Sequence, residues 1–442
     1  MRNLRYYFRL IGAILSQFKI LILISIFIGI AFFFILRYIL PLVSTTKVIR
    51  IGTTGAYGVD NLPDSIVSMI SSGLTKIDKD GSPMPDLAQS WESPDNGKTW
   101  IFTLKDNLYW QDGKRITSRD ISYPFSDVTT SFPDNRTISF KLQNPYSAFP
   151  TVVSRPIFKT GLLGTGQWRV TNIILNGSIV EQLTLRNKRG EQIIYKFYPT
   201  EESAKVAFEL GQVDELTNIF IPSPLNTWQR IKITKDINTH EYVAVFFNTQ
   251  DKLLNEKNLR QALAYAINKD SLDDGMRAIS PISIDSWAYN PQVKTYDYDP
   301  NKAKSMIDTY KKSSKINEIN ITLSTPSLLL SQAESIQKDW QAVGINVSLQ
   351  VVTGVPTDYQ AFLAVFDIPE DPDQYTIWHS TQVLTNITHY QNPRIDLLLE
   401  NGRTEVNTND RKQTYMDFQR FLVEDSPAAF LYYPAIYTIS RR

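Results

Sequence analysis

The sequence predicts an α/β protein of two lobes carried behind an N-terminal membrane helix, and three observations predict it. The chain has 442 residues, more than one hydrophobic core holds, so it divides into two or more lobes. Ile319, Ile321 and Leu323 form a strand face. A helix carrying Leu329, Ala333, Ile336 and Trp340 follows and ends at Gly344, and Ile345, Val347, Leu349 and Val351 alternate in a second strand. This is a β-α-β unit, which implies a parallel pair with a right-handed crossover. Finally, Ile20 to Leu36 is an uncharged apolar run, extended after Arg37 by Tyr38-Ile-Leu-Pro-Leu-Val43. Roughly 20 apolar residues suffice to cross hydrocarbon.

Arg2, Arg5, Arg9 and Lys19 precede that run with no acidic residue among them. The positive-inside rule then places residues 1–19 in the cytoplasm, 20–43 in the membrane and the remainder outside, in a single-pass arrangement. A cleaved signal peptide is the competing reading, but its apolar region is usually ~7–15 residues followed by a small-x-small site. Leu42-Val-Ser44 is a poor match to such a site. Lys+Arg at 46 against Asp+Glu at 45 gives a net charge of +1, without the basic surplus that would attract nucleic acid. Cysteine is absent, which excludes disulfides, thiolate metal sites, Cys nucleophiles and a lipidated N-terminal Cys.

Past a short leash at Ser44–Lys47, Lys47-Val-Ile-Arg-Ile51 reads as the first strand and Gly52 to Gly58 as a flexible loop containing Tyr57. Asp80-Gly81, Asn96-Gly97 and Asp112-Gly113 are tight-turn dipeptides, and Asn96-Gly97 favours a hairpin. Trp100, Phe102 and Leu104 share one strand face, and Thr117-Ser-Arg-Asp120 has capping-box spacing before Pro124 interrupts. Thr137–Leu142 and Ile193–Phe197 read as strands. Thr200 starts a helix that Gly211 ends. Tyr242–Asn248 is an apolar strand. Leu259, Ala262, Leu263, Ala266 and Ile267 recur at helical spacing, and Asp299-Pro300 caps the next helix. Phe362–Phe366 and Phe430–Tyr437 read as further strands.

The order of residues from Leu74 to Asp120 resembles the signature of the peptide-binding class of extracellular solute-binding proteins (family five), receptors of ABC importers for dipeptides, oligopeptides and sometimes nickel. The matching residues are Leu74, Pro85, Leu87, Ala88, Ser90, Trp91, Gly97, Trp100, Phe102, Leu104, Asp112, Gly113 and Asp120. Leu259 to Lys269 matches a second signature, and Gly164-Thr-Gly166 looks like the family's Gly-Thr-Gly turn, with Gln167 and Trp168 where the family has Pro-Tyr. The resemblance implies a bilobal periplasmic-binding-protein-like fold (type II, cluster C). Lobe I would span 44–244 and lobe II 245–425, with 426–442 returning to lobe I and Tyr242–Asn248 crossing between them. It further implies cleft positions at Tyr57, Asn248 and Trp287.

Catalytic motifs fail. His240-Glu241 opens like a zinc-protease helix, but Ala244 stands where the second His belongs. His240, His379 and His389 share no metal spacing, no G-x-S-x-G elbow occurs, and Asp297-x-Asp299-x-Asn301 lacks the Gly of a calcium loop. The chain therefore reads as a binding protein, not an enzyme, with no cofactor.

The most informative loop is Asp367-Ile-Pro-Glu-Asp-Pro-Asp-Gln-Tyr375, followed by Trp378. A peptide's α-amine entering a closed site must trade its hydration for an anionic partner. In peptide-binding relatives an Asp three residues before the Asp-Pro pair holds that amine. Here the pair is Asp371-Pro372, the equivalent position is Ile368, and the carboxylate stands one residue earlier at Asp367. Three readings stay open: Asp367 or Glu370 takes the amine, no free N-terminus is bound, or the loop is an acidic turn in which Asp371-Pro372 caps a helix. Trp378 is a further aromatic candidate.

The sequence thus reads as a monomeric, membrane-anchored receptor that closes on a peptide and docks on a permease. The alternatives are an extracytoplasmic sensor or scaffold of the same fold, a receptor for a nickel complex or a sugar, and a secreted hydrolase.

Overall fold

The computed structural model describes residues 17–39 and 47–441. The expected cytoplasmic segment (apart from residues 17–19), residues 40–43 of the expected membrane span and most of the Ser44–Lys47 leash lie outside the described residues. Two compact units are present. The smaller comprises residues up to Val48 together with Asn187–Gln192, and in it Lys19–Ile39 forms a helix of 21 residues. Among the described residues no helix is long and apolar enough to cross a membrane.

The larger unit is built on three main sheets. A seven-stranded sheet runs in the order Ile231–Ile237, Ala435–Arg441, Glu215–Ile219, Val48–Thr54, Gln192–Tyr198, Ile179–Asn187, Trp168–Asn176. A four-stranded antiparallel sheet, Ala88–Glu92, Thr99–Leu104, Thr137–Leu142 and Val128–Ser131, packs Trp100, Phe102, Leu104 and Phe140 into its own core. The hairpin joining its first two strands turns at Asn96 (φ 54°) and Gly97 (φ 88°), both left-handed as an Asn-Gly turn requires. The Thr117–Asp120 motif caps one turn: Asp120 accepts from the Thr117 N–H and hydroxyl, each at 2.7 Å.

The six-stranded sheet runs Met276–Arg277, Ala428–Tyr433, Glu241–Phe247, Ala361–Asp367, Asn320–Thr325, Asn346–Val351. The expected parallel pair is present, Ile321 opposite Val347 and Leu323 opposite Leu349. Trp340 from the intervening helix is fully buried and donates to the Leu263 carbonyl at 3.1 Å. The helix expected after Asp299-Pro300 runs Pro300–Ser314, and Asp299 accepts from the Lys302 N–H at 2.9 Å.

Two expectations need correction. The strand around Tyr242–Asn248 does not itself cross between sheets. It lies wholly in the six-stranded sheet, and the crossing is made by the residues between Ile237 and Glu241. Phe430–Tyr437 is two strands rather than one, broken at Pro434, because a residue without an N–H cannot continue a ladder. The Asn238 N–H donates to the Pro434 carbonyl at 2.9 Å, so the two crossings are clasped side by side. A seven-stranded lobe, with the four-stranded sheet appended, and a six-stranded lobe therefore meet at two adjacent single-chain links.

The Gly164-Thr-Gly166 turn is a close approach of backbones. A Cβ at Gly164 would lie 2.2 Å from the Ile70 carbonyl oxygen, and one at Gly166 2.5 Å from that of Met69. Gly354, by contrast, has nothing within 4 Å of its Cβ position. Gly164→Ala is expected to destabilise the lobe by ~1–3 kcal/mol through overpacking. Gly354→Ala should stay within ~0.5 kcal/mol of the parent. Urea denaturation followed by Trp fluorescence distinguishes the two.

Candidate ligand-binding site

The strand Ala361–Asp367 runs antiparallel to Glu241–Phe247, with Glu241 opposite Asp367 and Phe247 opposite Ala361. That register delivers two carboxylates to the end of the six-stranded sheet where the chain crosses over. The Ile368 N–H donates to the His240 carbonyl at 2.7 Å, which folds the following loop back over the crossing. Glu370 then reaches His240, with its Oε1 3.3 Å from Nδ1. Glu241, Asp367, Glu370 and His240 are thereby gathered at one place.

Their electrostatics follow from that crowding. Burial, and after it the charge and contact of Asp367, push the Glu241 carboxyl up to about 7. One Glu241 oxygen, Oε2, is buried without a hydrogen-bond partner. The Asn238 side chain and the charge of His240 favour the Glu241 anion, but they do not offset burial and the neighbouring Asp367, so a proton or a bound cation relieves the repulsion. The His240 imidazole is raised chiefly by its hydrogen bond to Glu370. Tyr57, from the other lobe, has its phenol raised by burial and then by the charge of Glu241. Its ring rests on Phe197 at 5.3 Å between centroids and its hydroxyl donates to the Thr54 carbonyl at 3.3 Å.

One cavity reaches this cluster through Glu370, and a second lies beside the next residue of the same loop, Asp371. The first, of about 350 Å³, includes Glu370 on the six-stranded side and Ser71, Thr75, Lys76, Asp86 and Arg155 on the other. The second, of about 370 Å³, lies among Trp91, Trp100, Pro150, Trp287, Asp371 and Arg411. The Asp80-Gly81 turn reaches both Glu370 and Trp287. The Trp287 N–H donates to the Asp80 carbonyl at 2.8 Å. A Cβ on Gly81 (φ +82°) would lie 2.7 Å from the Glu370 carbonyl oxygen.

The seven sequence candidates therefore separate. Asp367, Glu370 and Tyr57 come together at the crossing, and Trp287 lines the second cavity. Asp371 also lines that cavity, but it is 8% exposed and forked by Arg411, with Nη1 to Oδ2 at 2.8 Å and Nη2 to Oδ1. It is an ion-pair partner rather than a helix cap, since the next helix begins only at Tyr375. Two candidates sit elsewhere. Asn248 lies beyond the opposite end of the strand, ~24 Å from the Glu241–Asp367 pair at ~3.4 Å per residue. There its amide donates to the Tyr359 carbonyl at 2.9 Å and its oxygen accepts from the Gln250 N–H at 3.0 Å. Trp378 is 1% exposed, donates to Gln374 at 3.2 Å and packs against Phe246 and Phe430, which makes it core.

Glu241 was passed over in the sequence because it stood beside His240 in a failed zinc motif. Pairing it with Asp367 required the strand register. Arg155 and Lys76 carried no sequence signal beyond their charge.

The family model described as "Bacterial extracellular solute-binding proteins, family 5 Middle" matches residues 82–131 and 123–382. The nickel-binding periplasmic protein of Escherichia coli (strain K12) is 28% identical over 391 residues, covering 69% of this chain and 74% of that protein. Among solved structures, NikZ from Campylobacter jejuni in complex with Ni(L-His) superposes with a TM-score of 0.72 at 23% identity, covering 89% of this chain and 94% of that one. The oligopeptide-binding protein AppA from Bacillus subtilis in complex with a nonapeptide gives 0.69 at 20% identity, covering 90% and 95%. At these identities the two structures establish the bilobal α/β fold.

The raised Glu241 carboxyl has a consequence for stability. Between the ordinary value of 4.5 and about 7 the folded chain holds this proton while the unfolded chain has lost it. Stability contributed by this group is therefore lost as pH rises through that window. Glu241→Gln removes the dependence, so the melting temperature of the variant relative to the parent should rise from about pH 5 to about pH 7.5. Thermal melts across that range check it, and a flat difference would contradict the assignment.

Proposed function

Because this chain belongs to the bacterial extracellular solute-binding proteins, family 5, we propose that it is the receptor of an ABC importer that takes short peptides between its lobes and hands them to a permease. The observation that carries this reading is the acidic crossing. Glu241, Asp367 and Glu370 offer an anionic pole to a ligand amine, and Glu370 opens onto a polar cavity whose far wall bears Arg155 and Lys76 beside Asp64 and Asp86, with Arg155 as the cation offered to a ligand carboxylate. Amine at one end and carboxylate at the other is the charge pattern of a zwitterionic peptide. Contacts with both lobes favour the closed state over the open one, which is what drives closure.

Glu241 deepens the reading. An incoming ammonium displaces the proton that Glu241 otherwise holds, and gives its unpartnered oxygen a donor. No covalent step is involved. A nickel–amino-acid chelate is the second reading, supported by the nickel-binding relatives. Among the described residues no group of three or more His, Asp or Glu is arranged to hold a metal ion, so such a metal would arrive already chelated. The uncharged run Ile20–Leu36 of the sequence supports a membrane anchor with the lobes on the extracytoplasmic side. The basic residues preceding it support that orientation.

Mass spectrometry of what co-purifies with residues 47–442 separates a peptide from a nickel chelate. For the peptide reading, Asp367→Asn should weaken binding of a tripeptide with a free amine about 10- to 100-fold, the worth of a charge-assisted hydrogen bond. Its N-acetylated form should be affected less than about two-fold. Isothermal titration with both forms tests this, and equal losses would remove Asp367 from the amine-binding role. Arg155→Met should show the converse selectivity, weakening the free acid and sparing the C-terminal amide.

A further inference from the structure

The loop bearing Asp367 and Glu370 is tied down at its other end by two arginines. Arg403 Nε donates to Asp373 Oδ2 at 3.1 Å, and Arg411 forks onto Asp371. Both arginines belong to a platform made by the ends of two helices, Pro393–Thr404 and Thr408–Asp425. Arg411 Nε also donates to the Gly402 carbonyl at 2.8 Å. Gly402 allows the helices to sit this close, because a Cβ there would lie 2.7 Å from the Tyr415 ring.

The opposite lobe lands on that same platform. Ser147, from the loop after the four-stranded sheet, donates its N–H to the Arg403 carbonyl at 2.8 Å and its hydroxyl to the same oxygen at 2.9 Å. These carbonyls are among the last of the Pro393–Thr404 helix, which have no partner within it. Next to it, the Arg403 guanidinium lies 5.1 Å from the Tyr146 ring centroid of that lobe and 4.4 Å from the Tyr375 ring of its own. One cation thus touches an aromatic ring of each lobe and a carboxylate of the ligand loop.

We infer that Arg403 is a positioning residue that couples lobe closure to the order of the 367–375 loop, with Tyr146 and Ser147 as the catch on the facing lobe. When the lobes meet, Tyr146 covers one side of the guanidinium and Ser147 occupies the helix carbonyls. Arg403 is then held in the rotamer that fixes Asp373, and the carboxylates upstream in the loop are presented in one geometry. When the lobes part, Arg403 loses two of its neighbours and the loop loosens. The coupling is independent of which ligand occupies the cleft, so it does not stand or fall with the peptide reading.

The test uses the protein freed of small molecules, with spin labels on Lys105→Cys and Gln413→Cys. Absence of native cysteine makes both labels unique. Tyr146→Leu and Arg403→Gln are each expected to lower the ratio of short to long inter-label distances about three- to ten-fold. Their combination should add little to either single change, because both remove the same contact. Hydrogen exchange read by mass spectrometry supplies the discriminating measurement. Tyr146→Leu, made in the facing lobe, should speed amide exchange within residues 367–375. Unchanged distance distributions, additive effects in the double variant, or unchanged exchange in that loop would each overturn the inference. Should Arg403→Gln fail to fold, Ser147→Ala removes a single hydroxyl and is expected to move both readouts in the same direction by a smaller factor.

Discussion

The hydrogen bond from the Asn238 N–H to the Pro434 carbonyl sits where the chain passes between its two largest sheets. On one side of it stands a sheet of seven strands, on the other a sheet of six, and only two short links join them. Because the links are adjacent, a rotation about them would move the lobes while leaving each sheet's ladders intact. The register of Glu241 opposite Asp367 places both residues beside those links. The carboxylates occupy the end of the six-stranded sheet next to the links, where a small angular change brings the facing wall into contact. Fold and recognition are therefore set by one constraint, the end of a strand pair lying against a pivot.

Much of this was legible in the chain. Strict alternation at Trp100, Phe102 and Leu104, the Asn96-Gly97 dipeptide and the apolar positions from Leu329 to Trp340 each specify local structure through contacts that repeat at a fixed period. What was not legible depends on contacts between residues far apart in sequence. The partner of Asp367 is Glu241, more than a hundred residues earlier, and nothing in either neighbourhood announces the other. Asn248 and Trp378 sit apart from the acidic crossing for a related reason: a polar strand end and a tryptophan beside an acidic loop look alike in sequence whether they face a cleft or a core. The break at Pro434 was visible as a proline in an aromatic run, and its weight lay in the missing donor.

The comparisons divide along the same line. Residues 82–382 match the family model, and two solved relatives with different ligands, Ni(L-His) and a nonapeptide, superpose almost equally well. A scaffold that serves both cargoes leaves discrimination to loops and strand ends. In this chain the 367–375 loop, the Asp80-Gly81 turn and the wall bearing Arg155 are the loops and strand ends that adjoin the two cavities.

Gly81 carries an implication for how such a receptor could be altered. Its bare α-carbon rests against the Glu370 carbonyl, in a backbone region that favours glycine. The nearest atom to a Cβ there is main chain, the Glu370 carbonyl oxygen at 2.7 Å, with the Trp287 ring at 4.0 Å. Any side chain there would act as a doorstop, and its length would set how far the jaws stand ajar. Graded substitutions at this one position would yield a ruler of partly shut forms, each frozen at its own gape, with every ligand-touching side chain left as it is.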